Sequence, residues 1–140
     1  MPKFTLTQEH IASLFTGFSS GDVSGVDPEL KWTIGSETKD SVRLTGVYNL
    51  ATWSKEVRGP LVSRLQGGVV TPTVQCVDIV GNKAIVELVG TATQLNGKPY
   101  NNRYIWILIF SEDTGKVVEI REYLDTALCQ EVMQNNSPAA

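Results

Sequence analysis

The chain has 140 residues, 41% hydrophobic and 19% charged, enough for one globular domain with a sizeable core. Its net charge of −3 argues against nucleic acid or an anionic membrane as the main partner, and leaves small ligands open. A single histidine and two isolated cysteines, Cys76 and Cys129, argue against a metal site and for two buried thiols rather than a disulfide.

Thr5 or Thr7 can cap a first helix whose apolar stripe is Ile11, Leu14, Phe15 and Phe18, ending near Gly21. His10 precedes that stripe and reads as a surface or half-buried helix residue rather than a pocket base. No apolar run reaches the length of a signal peptide or a spanning helix, so a cytoplasmic location is expected. Glu29–Gly35 alternates as a strand, and Val42–Tyr48 reads as a short extended segment carrying Arg43. Asn49 caps a second helix with Leu50, Trp53, Val57, Leu61 and Leu65 on one face. Pro60 lacks the donor that helix needs, so a kink or restart is expected there.

From Gly67 the hydrophobic period changes from 3.6 to 2. Val69–Val80 and Lys83–Gln94 read as strands joined at Gly81-Asn82, with Pro72 marking an edge or bulge and Gly90 a bend or close approach. After Asn96-Gly97 comes a long hairpin, Lys98–Ser111 and Lys116–Leu124. Asp125 can cap a C-terminal helix over Thr126–Met133. The domain is expected to span 1–134, with 135–140 a disordered tail. Helices grouped before a meander of strands describe an α+β domain, a curved antiparallel sheet packed against N-terminal helices, shaped as a cone with an open end.

The hairpin divides into two faces. Tyr100, Asn102, Tyr104, Trp106, Leu108 and Phe110 share one face of its first arm; Val118, Ile120, Glu122 and Leu124 share one face of its second. Apolar strands with a few polar handles suit the wall of a ligand pocket. Glu122 among apolar neighbours would be desolvated, which raises a carboxyl toward neutrality and suits a general acid or base. Its alternative is an outer-face residue paired with Arg103 or Arg121. Tyrosine hydroxyls and an asparagine amide can donate to an oxyanion, and Trp106 offers a flat wall. Trp32, Tyr48 and Trp53 could close the cone mouth, and Arg43 is a lone positive charge on a loop bordering it. A bulge between Val117 and Glu122 would put Arg121 and Asp125 into the pocket instead.

The segments GDVSGVDPELKWTIG, VYNLATW, GTATQLNGKPYNNRYIWILIF and TGKVVEIREYLDT resemble the SnoaL-like branch of the nuclear-transport-factor-2-like superfamily, which also holds ketosteroid isomerase, limonene epoxide hydrolase and scytalone dehydratase. The resemblance covers about residues 7 to 131, and NNRYIW with GKVVEIREYLDT is its most specific part. It implies a cone-shaped α+β barrel, often a homodimer through the convex sheet face, and chemistry that needs no cofactor. It also implies that Glu122 faces the cavity, with Tyr104 and, less directly, Tyr100 and Asn102 beside it.

Two departures narrow the chemistry. The arginine–aspartate pair of the epoxide hydrolase type is missing from VELVGTA, and Ile120 and Trp106 stand where some cyclases carry histidine. One carboxylate helped by tyrosines fits an isomerase or cyclase acting on a hydrophobic polycyclic, polyketide or terpenoid-type intermediate. The other readings are a non-catalytic small-molecule binding protein and a protein-interaction adaptor of the same fold.

Overall fold

A computed structural model describes residues 4–139. Helix α1 (Gln8–Ser20) starts at Thr7, whose hydroxyl accepts the His10 N–H, so Thr7 rather than Thr5 is the cap. It ends at Gly21, whose φ of 84° lets its N–H return to Phe18 O. Ile11, Leu14 and Phe15 are buried, and the apolar stripe predicted from spacing is the face that packs. His10 is half-buried, with Nε2 2.7 Å from Gly115 O and its ring against Phe4.

Strands β1 (Val26–Ile34) and β2 (Gly46–Tyr48) follow. Strand β1 begins three residues before the predicted Glu29, because Val26 already pairs with Val117 of a later strand. The extended segment expected from Val42 shortens to Gly46–Tyr48. Asp40 Oδ1 accepts the N–H groups of Val42 and Arg43, folding those residues into a turn. A helical run covers 50–62: α2 (Leu50–Trp53), a π-helical segment (Ser54–Arg58) and α3 (Gly59–Val62). The Asn49 side chain and Thr52 form a reciprocal cap at its start. The break expected at Pro60 takes the form of a wide turn, in which the Gly59 N–H bonds back to Ser54 O.

A short 3-10 turn (Gln66–Gly68) leads to β3 (Thr71–Val80), β4 (Lys83–Thr93), β5 (Pro99–Phe110), β6 (Val117–Leu124) and α4 (Thr126–Asn135). The sheet has six strands in the order β2-β1-β6-β5-β4-β3 and does not close. The meander is antiparallel as expected, but β1 joins β6 in parallel. That pairing extends the concave wall past the hairpin. Trp32, Leu108, Phe110 and Ile120 are fully buried on this face, and large apolar side chains of this kind stabilise the fold by about 1.5–3 kcal/mol each.

The feared bulge exists and sits at Val118. Leu108 pairs with Ile120 and Ile109 with Glu119, but Phe110 pairs with Val117. Val117, not Val118, therefore points into the core and is fully buried, while the parity from Ile120 to Leu124 is unchanged. Cys129 is buried as expected; Cys76 is exposed, because it lies on the edge strand opposite Glu87 on the convex face. The segment beyond 134 departs from a frayed tail. Helix α4 runs to Asn135, Asn136 Nδ2 donates to the buried Gln94 Oε1 at 2.8 Å, and the Ala139 N–H reaches Ser63 O at 2.7 Å. Among the described residues no helix is long and apolar enough to cross a membrane.

Candidate functional site

Between the concave sheet face and the helices lies a cavity of about 350 Å³. Its wall is largely apolar. Phe18, Trp53, Val57, Leu61, Leu88 and Trp106 contribute, and Glu122, Tyr104, Tyr100 and Cys129 supply the polar atoms of its inner part. Glu122 is 6% exposed and sits opposite Trp106 across the β5–β6 ladder. One of its oxygens, Oε1, accepts the Trp32 indole N–H at 2.9 Å. Burial pushes this carboxyl up to about 7, against the Trp32 bond, which favours the charged form. With Oε1 held by Trp32, Oε2 is the oxygen left to exchange a proton.

A second polar cluster stands on the same face. The hydroxyls of Tyr100 and Tyr104 are 2.9 Å apart, and the Cys129 sulfur is 3.7 Å from the Tyr100 oxygen. Asn102 Nδ2 donates to the Tyr100 oxygen at 3.2 Å. Burial raises both phenols far above their ordinary range, and the neighbouring Glu122 charge adds to this for Tyr104. Burial likewise pushes the Cys129 thiol up to about 12. All three groups therefore stay protonated near neutral pH. When Tyr100 accepts from Asn102 and donates to Tyr104, the Tyr104 proton is free for a ligand oxygen. Gly90 makes room for this tyrosine: a Cβ there would come within 2.9 Å of Tyr104 Cε2 and 2.8 Å of Val70 Cγ1.

The structure brings Glu122, Tyr104, Tyr100, Trp106 and Trp53 together around the cavity. Trp32 is fully buried and backs this wall rather than lining it. Its ring stacks on Trp53, with centroids 4.3 Å apart, while its N–H holds Glu122. Three candidates lie elsewhere. Asn102 does not line the cavity: its amide donates to Asp125 O and accepts the Asp125 N–H, each at 3.0 Å, tying β5 to the start of α4. Tyr48 is a core residue whose hydroxyl donates to Thr45 O at 2.7 Å. Arg43 points into an outer groove, and its Nε donates to Gln130 Oε1. The same turn explains Arg43 and a residue the sequence did not flag. Leu44 adopts a φ of 65°, a left-handed conformation costing a non-glycine residue about 1–2 kcal/mol, and its buried side chain lines the cavity.

The alternative pair stays outside. Arg121 is exposed and bonds Glu119, and Asp125 caps α4 by accepting the Leu128 N–H. Cys129 and Arg58 are lining residues not foreseen as such. Cys129 follows from the phase that the Asp125 cap imposes on α4, where it shares a buried face with Val132. On a 3.6-period wheel Arg58 falls between the lining residues Leu61 and Val62, at the flank of the apolar stripe, where its charge rather than its phase kept it from reading as a lining residue. Trp106 Nε1 is buried and has no partner among the described residues. Among those residues, no three His, Cys, Asp or Glu side chains come together in a metal-binding group.

No family model matches the chain, and no curated protein matches it. Solved structures do. A nuclear-transport-factor-2-like protein from Burkholderia thailandensis E264 gives a TM-score of 0.70 at 20% identity, over 90% of this chain and 95% of its own. TerC, co-crystallised with polyporic acid, gives 0.71 at 20% identity, over 90% and 96%. IdmH from Streptomyces antibioticus, proposed to be a polyketide cyclase, gives 0.68 at 16% identity, over 90% and 96%. At such identities the likeness is one of fold. An unclosed six-stranded sheet, matched over nine-tenths of the chain by these structures, gives this protein the nuclear-transport-factor-2-like fold.

Proposed function

We propose that the protein is a cofactor-independent isomerase or cyclase that moves a proton on a hydrophobic ring-forming or polycyclic intermediate. The carrying observation is a single carboxyl, buried in an apolar cavity and raised to about 7, beside two protonated tyrosines. In its ionised form Glu122 Oε2 takes a proton from the carbon next to a substrate carbonyl. Tyr104 donates to the enolate oxygen as charge develops there. Return of the proton at another carbon gives isomerisation; attack of the enolate carbon on a second carbonyl of the same molecule gives ring closure, the C=O π pair becoming an alkoxide that takes back the proton held by Glu122. Trp53, Trp106 and Phe18 hold flat apolar substrates, and the unpartnered Trp106 N–H suits a further substrate oxygen. The fold shared with IdmH, itself proposed to be a polyketide cyclase, supports a polyketide-type substrate. The apolar side chains on the convex face, Ile105, Tyr123 and Val47, support a homodimer through that face.

The test is Glu122→Gln, assayed against diketone and polyketide-type substrates. Glutamine keeps the acceptor for Trp32 and removes the base, so turnover falls by about 10²–10⁴-fold while ligand affinity is retained. Because the ionised form is the active one, wild-type kcat/KM rises as pH passes through about 7. Full turnover in the variant, or a profile flat across that pH, overturns the mechanism and leaves a binding protein.

A further inference from the structure

Among the residues lining the cavity, the one basic side chain is Arg58, in the π-helical segment Ser54–Arg58. It is exposed, as are Ser54 and Ser19 of the same lining, so these residues form the polar part of the mouth. Of the other four arginines, Arg103 is exposed on the convex side of β5, away from the cavity, and the remaining three have partners inside the protein. Arg43 bonds Gln130, Arg64 bonds Asn136 O and Pro60 O, and Arg121 bonds Glu119. Arg58 has no hydrogen bond or ion pair among the described residues. The acid nearest to it in sequence, Glu56, is held by Lys39. A guanidinium is a fixed charge with a planar fork that matches a carboxylate.

The cavity's interior offers neutral donors, the Tyr104 hydroxyl and the Trp106 N–H, but no positive charge to balance a full anion. Its other polar groups are one carboxyl, a second phenol and a thiol, and the rest of the inner wall is aliphatic and aromatic. An anionic substituent placed deep would sit beside Glu122 with no countercharge; placed at the mouth it meets Arg58. We infer that the cavity takes an amphiphilic anion, an apolar ring system bearing one carboxylate, with the rings inside and the carboxylate held at the mouth by Arg58. The inference rests on the cavity being the ligand site, and it adds the ligand's charge, its position and the residue that reads it.

The experiment uses two fluorescent dyes of the same shape. Anilinonaphthalene sulfonate carries one anionic group, and N-phenylnaphthylamine is its uncharged parent. Titration of the intact protein should show the sulfonate dye binding about fivefold tighter at low salt, the difference disappearing in molar sodium chloride. The neutral dye should displace the sulfonate, as one shared cavity requires. Arg58→Gln should lower sulfonate affinity about fivefold and leave the neutral dye unchanged; Arg58→Lys should keep most of the preference. Equal affinity of the two dyes for wild type, or an unchanged preference in Arg58→Gln, overturns this inference alone. Failure of both dyes to bind, or failure of one to displace the other, overturns the cavity as ligand site and this inference with it.

Discussion

Glu122 is held in a place that costs the fold. Raising its carboxyl from 4.5 to about 7 makes its ionised form unfavourable by about 3 kcal/mol above pH 7. Stability from this group is complete below pH 4.5, declines as pH rises toward 7, and is lost above it. Trp32 limits that cost through the bond to Oε1 and fixes which oxygen is free. Trp32→Phe removes the donor, so burial acts unopposed and the carboxyl rises further. The expected outcome is a kcat/KM profile whose midpoint moves above 7, with activity at pH 7 reduced and partly regained at higher pH. The measurement is the pH–rate profile; a midpoint that stays at about 7 would show that the bond does not tune the acid. The carboxylate was legible in the sequence because alternation along VVEIREYL, read back from Leu124, puts Glu122 with Ile120. Its partner was not legible, because Trp32 lies 90 residues away and meets it only through the parallel β1–β6 pairing.

At the scale of elements, the hairpin's period-2 pattern carried most of the prediction, since each residue from Tyr100 to Phe110 lies on the face its parity assigns. What failed was local backbone irregularity. The Val118 bulge exchanged Val117 for Val118 without reaching Glu122, and the helical run from Leu50 takes a π-helical turn over Ser54–Arg58. Neither leaves a mark in hydrophobic periodicity, because each shifts the phase by one residue inside a single element. Gly90 is where two strands depend on a missing side chain. In Gly90→Ala the new methyl meets Val70 and the Tyr104 ring, both closer than 3.0 Å. Accommodation must shift Tyr104 and lengthen its 2.9 Å bond to Tyr100. The variant should lose about 1–3 kcal/mol in denaturant unfolding. Its turnover should fall through loss of the aligned hydroxyl, while the pH midpoint set by Glu122 stays in place. A loss of stability with unchanged turnover would remove Tyr104 from the mechanism.

The whole molecule separates its two faces by function. Concave side chains build the core and the cavity; the convex face keeps Ile105 at 42%, Val47 at 44% and Tyr123 at 51% exposure. The ladder places Ile105 directly beside Tyr123 across β5–β6, and Glu87 of β4 next to Ile105. Apolar side chains lined across a sheet face in this way are the kind of surface that a second sheet covers. A stable pair needs about 800 Å² from each partner, more than these three residues supply alone, so the contact must extend over the neighbouring isoleucines and the Glu119–Arg121 pair. The wild-type chain is therefore expected to sediment as a dimer at micromolar concentration. The double variant Ile105→Lys, Tyr123→Lys places like charges opposite one another at the contact and should shift it to monomer. Because both residues point away from the cavity, the dye titrations and the pH midpoint of Glu122 should not change. A wild-type chain that sediments as a monomer would remove the pairing and leave the cavity chemistry intact, since no residue of the site comes from the convex face.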